Sequence, residues 1–287
     1  MLSGRIIKGV GGLYDVDTGQ GIYSCQARGL FRKRGETPLV GDFVDILVID
    51  ENKRTGYLQT LHPRRNELSR PRVANVDQAI VVFAAASPKP NTDLLDRFLT
   101  LIEREGLSIV ICINKSELGQ QTLLDDLQSV YEPLGYPLLL TSALEGEGID
   151  MLRGHMAGKV SILAGPSGVG KSSLINAAFP GLSLETGAIS QKIERGKHTT
   201  RHTEFLPLQD GGYIADTPGF TSLDLAHIPA EALQHCFPEF APYIGSCRFH
   251  NCMHLSEPDC TVKAQVGKHI APCRYDSYAS FCRLTGQ

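Results

Sequence analysis

The chain has 287 residues, is 42% hydrophobic and 21% charged, and carries a formal net charge of −3. That balance is ordinary for a folded globular protein, and the length allows about two domains of ~100–200 residues. The longest strongly apolar run, Ala79 to Ala86, is far short of the ~18 residues a membrane-spanning helix needs, and the start, MLSGRIIKGVGG, lacks a signal peptide's apolar core and cleavage site. The expected location is the cytoplasm, with no membrane contact. There, the eight cysteines are expected to be thiols or metal ligands rather than disulfides. Charge is unevenly spread: residues 1–72 and 241–287 lean basic, while 73–240 is acidic. Basic ends suit contact with a polyanion such as nucleic acid.

The first segment reads as short strands. Arg5-Ile6-Ile7-Lys8, Leu13 to Val16, Gly21 to Cys25, Phe43 to Val48 and Gly56 to Gln59 are each followed by glycine-rich or charged turns. Partial alternation at even spacing predicts a small antiparallel barrel of the OB type. Arg28, Arg32, Lys33 and Arg34 stand near an expected loop of that barrel and make it a candidate RNA-binding surface. The polar stretch from His62 to Arg72, with two prolines, reads as a linker.

Strands and helices then alternate, as in a parallel α/β sheet. Ala79 to Ala84 and Ser108 to Ile113 are continuous apolar runs, expected for strands covered on both faces. Between them Asn91 precedes a helix carrying Leu94, Leu95, Phe98, Leu101 and Ile102 on one face. A second amphipathic helix carries Leu123, Leu124, Leu127 and Val130, and further strands are expected at Pro137 to Leu140 and Val160 to Ala164.

The Val160–Ala164 strand runs into Gly165-Pro166-Ser167-Gly168-Val169-Gly170-Lys171-Ser172-Ser173, the G-x-x-x-x-G-K-S phosphate loop. Its backbone N–H groups and the following helix N-terminus suit an anion. Lys171 is expected on the β and γ phosphates and the Ser172 hydroxyl on Mg²⁺. Asn114-Lys115-Ser116-Glu117 follows a strand end and reads as a guanine-recognition motif: Asn114 holds one edge of the base, Lys115 covers its plane, and the Glu117 carboxylate accepts from donors that adenine lacks. Glu117 stands where aspartate is usual. Thr141-Ser142-Ala143 ends the next strand, with Ser142 and Ala143 expected beside the guanine oxygen. Past the phosphate loop, Gly196-Lys197-His198-Thr199-Thr200 reads as a switch loop whose threonine completes the Mg²⁺ shell, Thr200 favoured over Thr199. Asp216-Thr217-Pro218-Gly219 is a D-x-x-G motif, with Asp216 toward Mg²⁺ and the Gly219 N–H toward the γ phosphate.

The last segment is rich in Cys, His and Pro. Cys247, Cys252, His254 and Cys260 place three thiols and an imidazole within a short span, which suits a closed, structural tetrahedral Zn²⁺ site. Cys25, Cys112, Cys236, Cys273 and Cys282 share no such spacing and read as packing residues.

The base-reading motifs here precede the phosphate loop, reversing the usual GTPase order. That order, with GPSGVGKSS, GKHTTRH, DTPGF, NKSE, TSA, the five-strand start and the cysteine cluster, resembles the circularly permuted small-ribosomal-subunit biogenesis GTPases over essentially the whole chain. Glu257-Pro258 also matches that family's cluster. The resemblance implies a multi-domain protein: an OB-type RNA-binding β-barrel (1–68), a circularly permuted α/β P-loop GTPase domain (73–224) and a mainly α zinc-binding domain (225–287). It implies GTP hydrolysis to GDP stimulated by the small ribosomal subunit, contact with the subunit's rRNA, and a monomer. The family lacks the usual water-orienting glutamine. Phe220 stands in its place, and the resemblance assigns the role to His198. An imidazole near neutral pH can accept a hydrogen bond from the attacking water. No arginine finger is evident, so slow intrinsic turnover is expected. Because the DTPGF loop leads directly into the last segment, its movement could reposition the cysteine-rich domain. Two other readings are a GTP-dependent RNA-binding module with incidental hydrolysis, and an ATPase or nucleotide kinase using the same loop.

Overall fold

The structure is a computed structural model describing residues 1–29, 31, 35–69, 71–182, 184, 203–216 and 223–285. Five strands open the chain: β1 (Leu2–Val10), β2 (Leu13–Asp17), β3 (Ile22–Ala27), β4 (Phe43–Asp50) and β5 (Thr55–Leu61). They run in the order β1-β2-β3-β5-β4, and β4 closes back on β1 to form the expected barrel, except that it is not wholly antiparallel: β3 and β5 pair in parallel. Alternation does the work: Tyr23 and Cys25 of β3, Val44 and Ile46 of β4 and Leu58 of β5 point inward and are buried. A bulge in β1 opposite β2, between Ile6 and Lys8, lets the consecutive residues Ile6 and Ile7 both be buried.

The stretch read as a linker is instead structured. β6 (Glu67–Ser69) pairs with β7 (Arg72–Ala74), and Leu68 and Val73 are buried. Arg64 forks onto buried Asp42, Nε to Oδ1 at 2.6 Å and Nη2 to Oδ2 at 2.8 Å, and Arg65 meets Asp77 at 2.7 Å. Local polarity suggests a solvated tether. Carboxylates supplied from elsewhere in the fold reverse that outcome.

The α/β sheet has the order β10-β9-β8-β11-β13-β12. Its strands are β8 (Gln78–Ala84), β9 (Ser108–Asn114), β10 (Leu138–Thr141), β11 (Val160–Ala164), β12 (Glu204–Pro207) and β13 (Tyr213–Asp216). All pairings from β10 to β13 are parallel, and β12 is antiparallel to β13. Every residue of β8 and β11 is buried, because helices cover both faces: α1 (Thr92–Arg104) and α2 (Gln121–Tyr131) on one, α3 (Ile149–Met156) and α4 (Lys171–Ala178) on the other. Asn91 caps α1, its Oδ1 accepting from the Leu94 N–H at 3.1 Å. β12 also pairs with β1, so barrel and α/β sheet are one continuous hydrogen-bonded sheet. The apolar core is likewise unbroken, from Ile6, Val44 and Leu58 through Phe205 to Val81, Phe98, Ile111 and Leu127.

The C-terminal segment is mainly short helical turns, with α5 (Ala230–Leu233) and α6 (Pro272–Thr285). Phe237, Phe240, Tyr278 and Phe281 form its core, joined by Leu101 of α1. Arg274 of α6 is fully buried between Asp96 of α1 and Glu239, at 2.7 and 2.8 Å, and Tyr131 donates to the same Asp96 oxygen at 2.9 Å. Burial pulls the Arg274 pKa down, but the two carboxylates outweigh it and the guanidinium is held above its ordinary value.

Candidate nucleotide site and metal centre

Strands β9, β10, β11 and β13 all point their C-terminal ends to one edge of the parallel sheet. Sequence order reverses between neighbours β8 and β11, which opens a crevice at that edge. Asn114 ends β9 and is the register partner of Thr141, which ends β10. The two motifs expected to read the base are therefore side by side because two buried apolar strands pair in register.

The phosphate loop lies against them. Gly165 has φ +130°, and a Cβ there would come within 2.1 Å of the Val82 carbonyl oxygen. Gly170 has φ +90°, and its Cβ would lie 2.5 Å from Asn114 Nδ2. Both positions require glycine. Lys171 opens α4, and its Nζ donates to the carbonyls of Gly165 and Pro166 at 2.8 and 2.6 Å. Burial lowers its pKa to about 8. A desolvated ammonium held only by carbonyl dipoles, at a helix N-terminus, is electrostatically under-compensated and fits an anion such as a polyphosphate.

Asn114 ties three motifs together. It is buried; its Nδ2 donates to the Val169 carbonyl at 2.8 Å, and its Oδ1 accepts from the Ala143 N–H at 3.3 Å. Lys115 sits in the left-handed region at φ 60°, and its Nζ donates to the carbonyls of Gly168 at 2.9 Å and of Ser87. Ser142 is buried and its Oγ accepts from the Glu145 N–H at 3.0 Å, shaping the turn after β10. Glu117 is exposed in the short 3-10 turn Ser116–Leu118. Asp216 closes β13. His198, Thr199, Thr200, Gly219 and Phe220 lie outside the described residues, as do Arg32, Lys33 and Arg34 of the barrel. Arg28 is described and lies over the Tyr57 ring at 5.6 Å.

Cys247, Cys252, His254 and Cys260 converge, each presenting one donor atom, all within 4.8 Å of one another. Cys247 Sγ lies 3.9 Å from Cys260 Sγ and 3.6 Å from His254 Nδ1. Metal–sulfur bonds of ~2.3 Å in a tetrahedron place sulfurs about 3.8 Å apart, so the cluster can hold a metal ion. His254 Nε2 lies 2.9 Å from Gln234 Oε1, a hydrogen bond that leaves Nδ1 for the metal. The N–H groups of Thr261 and Lys263 donate to Cys247 Sγ and Cys260 Sγ, each at 3.4 Å. Glu257 shapes the loop by accepting from the N–H groups of Met253 and Leu255 at 2.8 Å; burial raises its pKa, but these backbone donors win and hold it below the ordinary value. Gln234 escapes a sequence reading because neither spacing nor residue type marks it. The other cysteines, Cys25, Cys112, Cys236, Cys273 and Cys282, are free thiols, all but Cys273 buried.

The RsgA GTPase model matches residues 61–226, and the RsgA N-terminal domain model matches residues 3–58. The chain belongs to the RsgA GTPase family. It is accordingly a GTP hydrolase with its motifs in circularly permuted order. Relatives within the family include the small ribosomal subunit biogenesis GTPase RsgA of Agathobacter rectalis, 48% identical, with 96% of each chain covered. That of Alkaliphilus metalliredigens is 46% identical over 97% of this chain and 96% of its own. Among solved structures, YjeQ from Thermotoga maritima superposes with a TM-score of 0.88 at 37% identity, covering 100% of this chain and 99% of that one. YloQ, described as a circularly permuted GTPase, gives 0.82 at 37% identity, covering 100% and 95%. The two family models cover the barrel and the GTPase sheet, and the solved structures cover the Cys/His segment as well. Among the described residues no helix is long and apolar enough to cross a membrane.

Proposed function

We propose that this chain binds the small ribosomal subunit and acts in its late assembly, hydrolysing GTP to GDP and phosphate with subunit-stimulated activity. The observation that carries the reading is the Asn114 bridge between phosphate loop and base-reading turns, in a chain 46–48% identical to proteins named for small-subunit biogenesis. Asn114, Lys115, Glu117, Ser142 and Ala143 take the guanine, while residues 165–173 take the phosphates. Mg²⁺, held by Ser172, Thr200 and Asp216, supplies charge neutralisation at the β and γ phosphates. His198 orients the attacking water and the Gly219 N–H meets the γ phosphate. In this reading residues 1–68 contact rRNA, 73–224 hydrolyse GTP and 225–287 form a second contact held together by one structural Zn²⁺. The protein works as a cytoplasmic monomer. The deciding assay is GTP turnover with purified small subunits, with large subunits and with free rRNA. Stimulation confined to small subunits supports the proposal. Equal turnover in all three would reduce the chain to a GTP-dependent RNA binder, and displacement of GTP by equimolar ATP would remove the guanine assignment.

A further inference from the structure

Lys8, Glu204 and Asp216 occupy one row across three strands. Lys8 of β1 is the register partner of Glu204 of β12, and Glu204 is the register partner of Asp216 of β13. The barrel thus ends two strands from the residue to which Mg²⁺ coordination is assigned above. The row is fastened by side chains. Lys8 Nζ donates to Glu204 Oε2 at 2.8 Å. Tyr213, on the same strand as Asp216, donates its hydroxyl to Asp17 Oδ2 of β2 at 2.8 Å. The Arg5 guanidinium lies 4.1 Å from the centre of the Phe43 ring and 5.5 Å from that of Tyr213, within reach of cation–π attraction to both rings. Phe205, next to Glu204, is buried in the core shared with the barrel.

On its other side β13 pairs with β11. Among the described residues, β11 is in register with β13 at Val160↔Tyr213 and Ser161↔Ile214, and β12 pairs along its whole length up to Asp216. β12 thus pairs with the Asp216 end of β13, and β12 in turn is joined to the barrel strand β1 at Lys8↔Glu204.

We propose that Lys8, Arg5 and Asp17 are positioning residues for the GTPase reaction: the barrel wall fixes β12 and β13 and thereby tunes the affinity of the Asp216 site for Mg²⁺. The proposal rests on Asp216 being a Mg²⁺ ligand, and the experiment separates the two ideas.

Binding of a fluorescent, non-hydrolysable GTP analogue to the full chain is titrated with Mg²⁺, and the half-saturating concentration is read. Asp216→Asn is the reference and removes most of the Mg²⁺ dependence. Exposed ion pairs and single hydrogen bonds are individually weak, so Lys8→Met and Tyr213→Phe each raise the half-saturating Mg²⁺ about two- to fivefold, and together about tenfold. Analogue binding without Mg²⁺ and thermal unfolding of the barrel change little. Lys8→Glu alone raises the Mg²⁺ requirement, and Lys8→Glu with Glu204→Lys restores it to within about twofold of the parent, which loss of folding cannot imitate. Hydrogen exchange of β13 amides rises in Lys8→Met and returns in the charge-swapped pair. An unchanged Mg²⁺ requirement in Lys8→Met and the charge-reversal variant, alongside a shifted Asp216→Asn, overturns the positioning role alone. An unshifted Asp216→Asn overturns the Mg²⁺ assignment and this inference with it. Should Lys8→Glu fail to fold, the Lys8→Met, Tyr213→Phe and charge-swapped proteins decide the matter.

Discussion

Asn114 Nδ2 donates to the carbonyl oxygen of Val169 at 2.8 Å, joining the end of β9 to the middle of the phosphate loop. The same carboxamide accepts from the Ala143 N–H at 3.3 Å. One buried side chain thus ties the phosphate loop to the turns after β9 and β10.

Asn114→Ala leaves the Val169 carbonyl and the Ala143 N–H unpaired. Unsatisfied buried groups cost about 1–3 kcal/mol each. GTP and GDP affinity should both fall by about ten- to hundredfold, with a smaller loss of stability. Isothermal titration of both nucleotides checks this, and a change in turnover with unaltered affinity would contradict it.

In the proposed reading Glu117 selects the base. A carboxylate hydrogen bond to the guanine edge contributes about 1.5–3 kcal/mol, so Glu117→Ala should lower the preference for GTP over ITP, which lacks the exocyclic amine, by roughly tenfold or more. Glu117→Asp shortens the arm by one methylene and should tighten GDP binding. Competition binding with GTP, ITP and ATP gives the three ratios.

Lys171 has a pKa lowered by burial to about 8. Below that pH its ammonium is present to meet phosphate; above it, binding must recruit a proton, so nucleotide affinity falls by up to about tenfold per pH unit. The stability effect has the opposite sign. The unfolded lysine, at about 10.4, holds its proton up to a higher pH than the folded one, so nucleotide-free protein gains stability as pH rises between about 8 and 10.4. Lys171→Met should flatten both profiles, measured by titration binding and by urea unfolding across pH 7–10.

Removal of the proposed zinc should release the metal loop. Structural zinc supplies about 10–16 kcal/mol in small modules, and the loop between Ser246 and Val262 has few apolar side chains to replace it. After chelation, hydrogen-exchange protection should vanish there, and guanine nucleotide binding should persist because Asn114 and the phosphate loop belong to another part of the fold. Gln234→Ala should weaken zinc binding by about tenfold through loss of the His254 Nε2 partner, read by competition with a chromogenic chelator.

Arg274→Met leaves Asp96 and Glu239 buried without their cation. Breaking a buried pair in this way costs about 3–5 kcal/mol. Thermal unfolding should shift down by several degrees or split into two transitions, with α6 the first element to lose protection. Arg274→Lys should recover only part of the loss, since one ammonium cannot reproduce the fork onto both carboxylates.

The nucleotide motifs, the barrel strands and the Cys/His ligands are legible in the sequence because each depends on neighbours close in the chain. Val160 to Ser173 is a buried strand, a glycine turn and a helix start in unbroken succession, and Cys247 to Cys260 spans a single loop. Alternation in Ile22–Ala27 and helical spacing in Thr92–Arg104 are local in the same sense, so fold class and reaction chemistry are written there. What only the tertiary structure decided joins residues far apart in the chain. Arg64 finds Asp42 and turns an apparent tether into a hairpin. Gln234 finds His254, Arg274 finds Asp96, and Lys8 finds Glu204. A charged residue has the same local signature whether solvated or paired, because its partner arrives only when the chain has folded. The sequence determined that this protein is a permuted GTPase; the fold decided that its barrel and GTPase strands join in one sheet, and that the metal module, with a core of its own, is fastened to α1 through Leu101 and the Arg274–Asp96 pair.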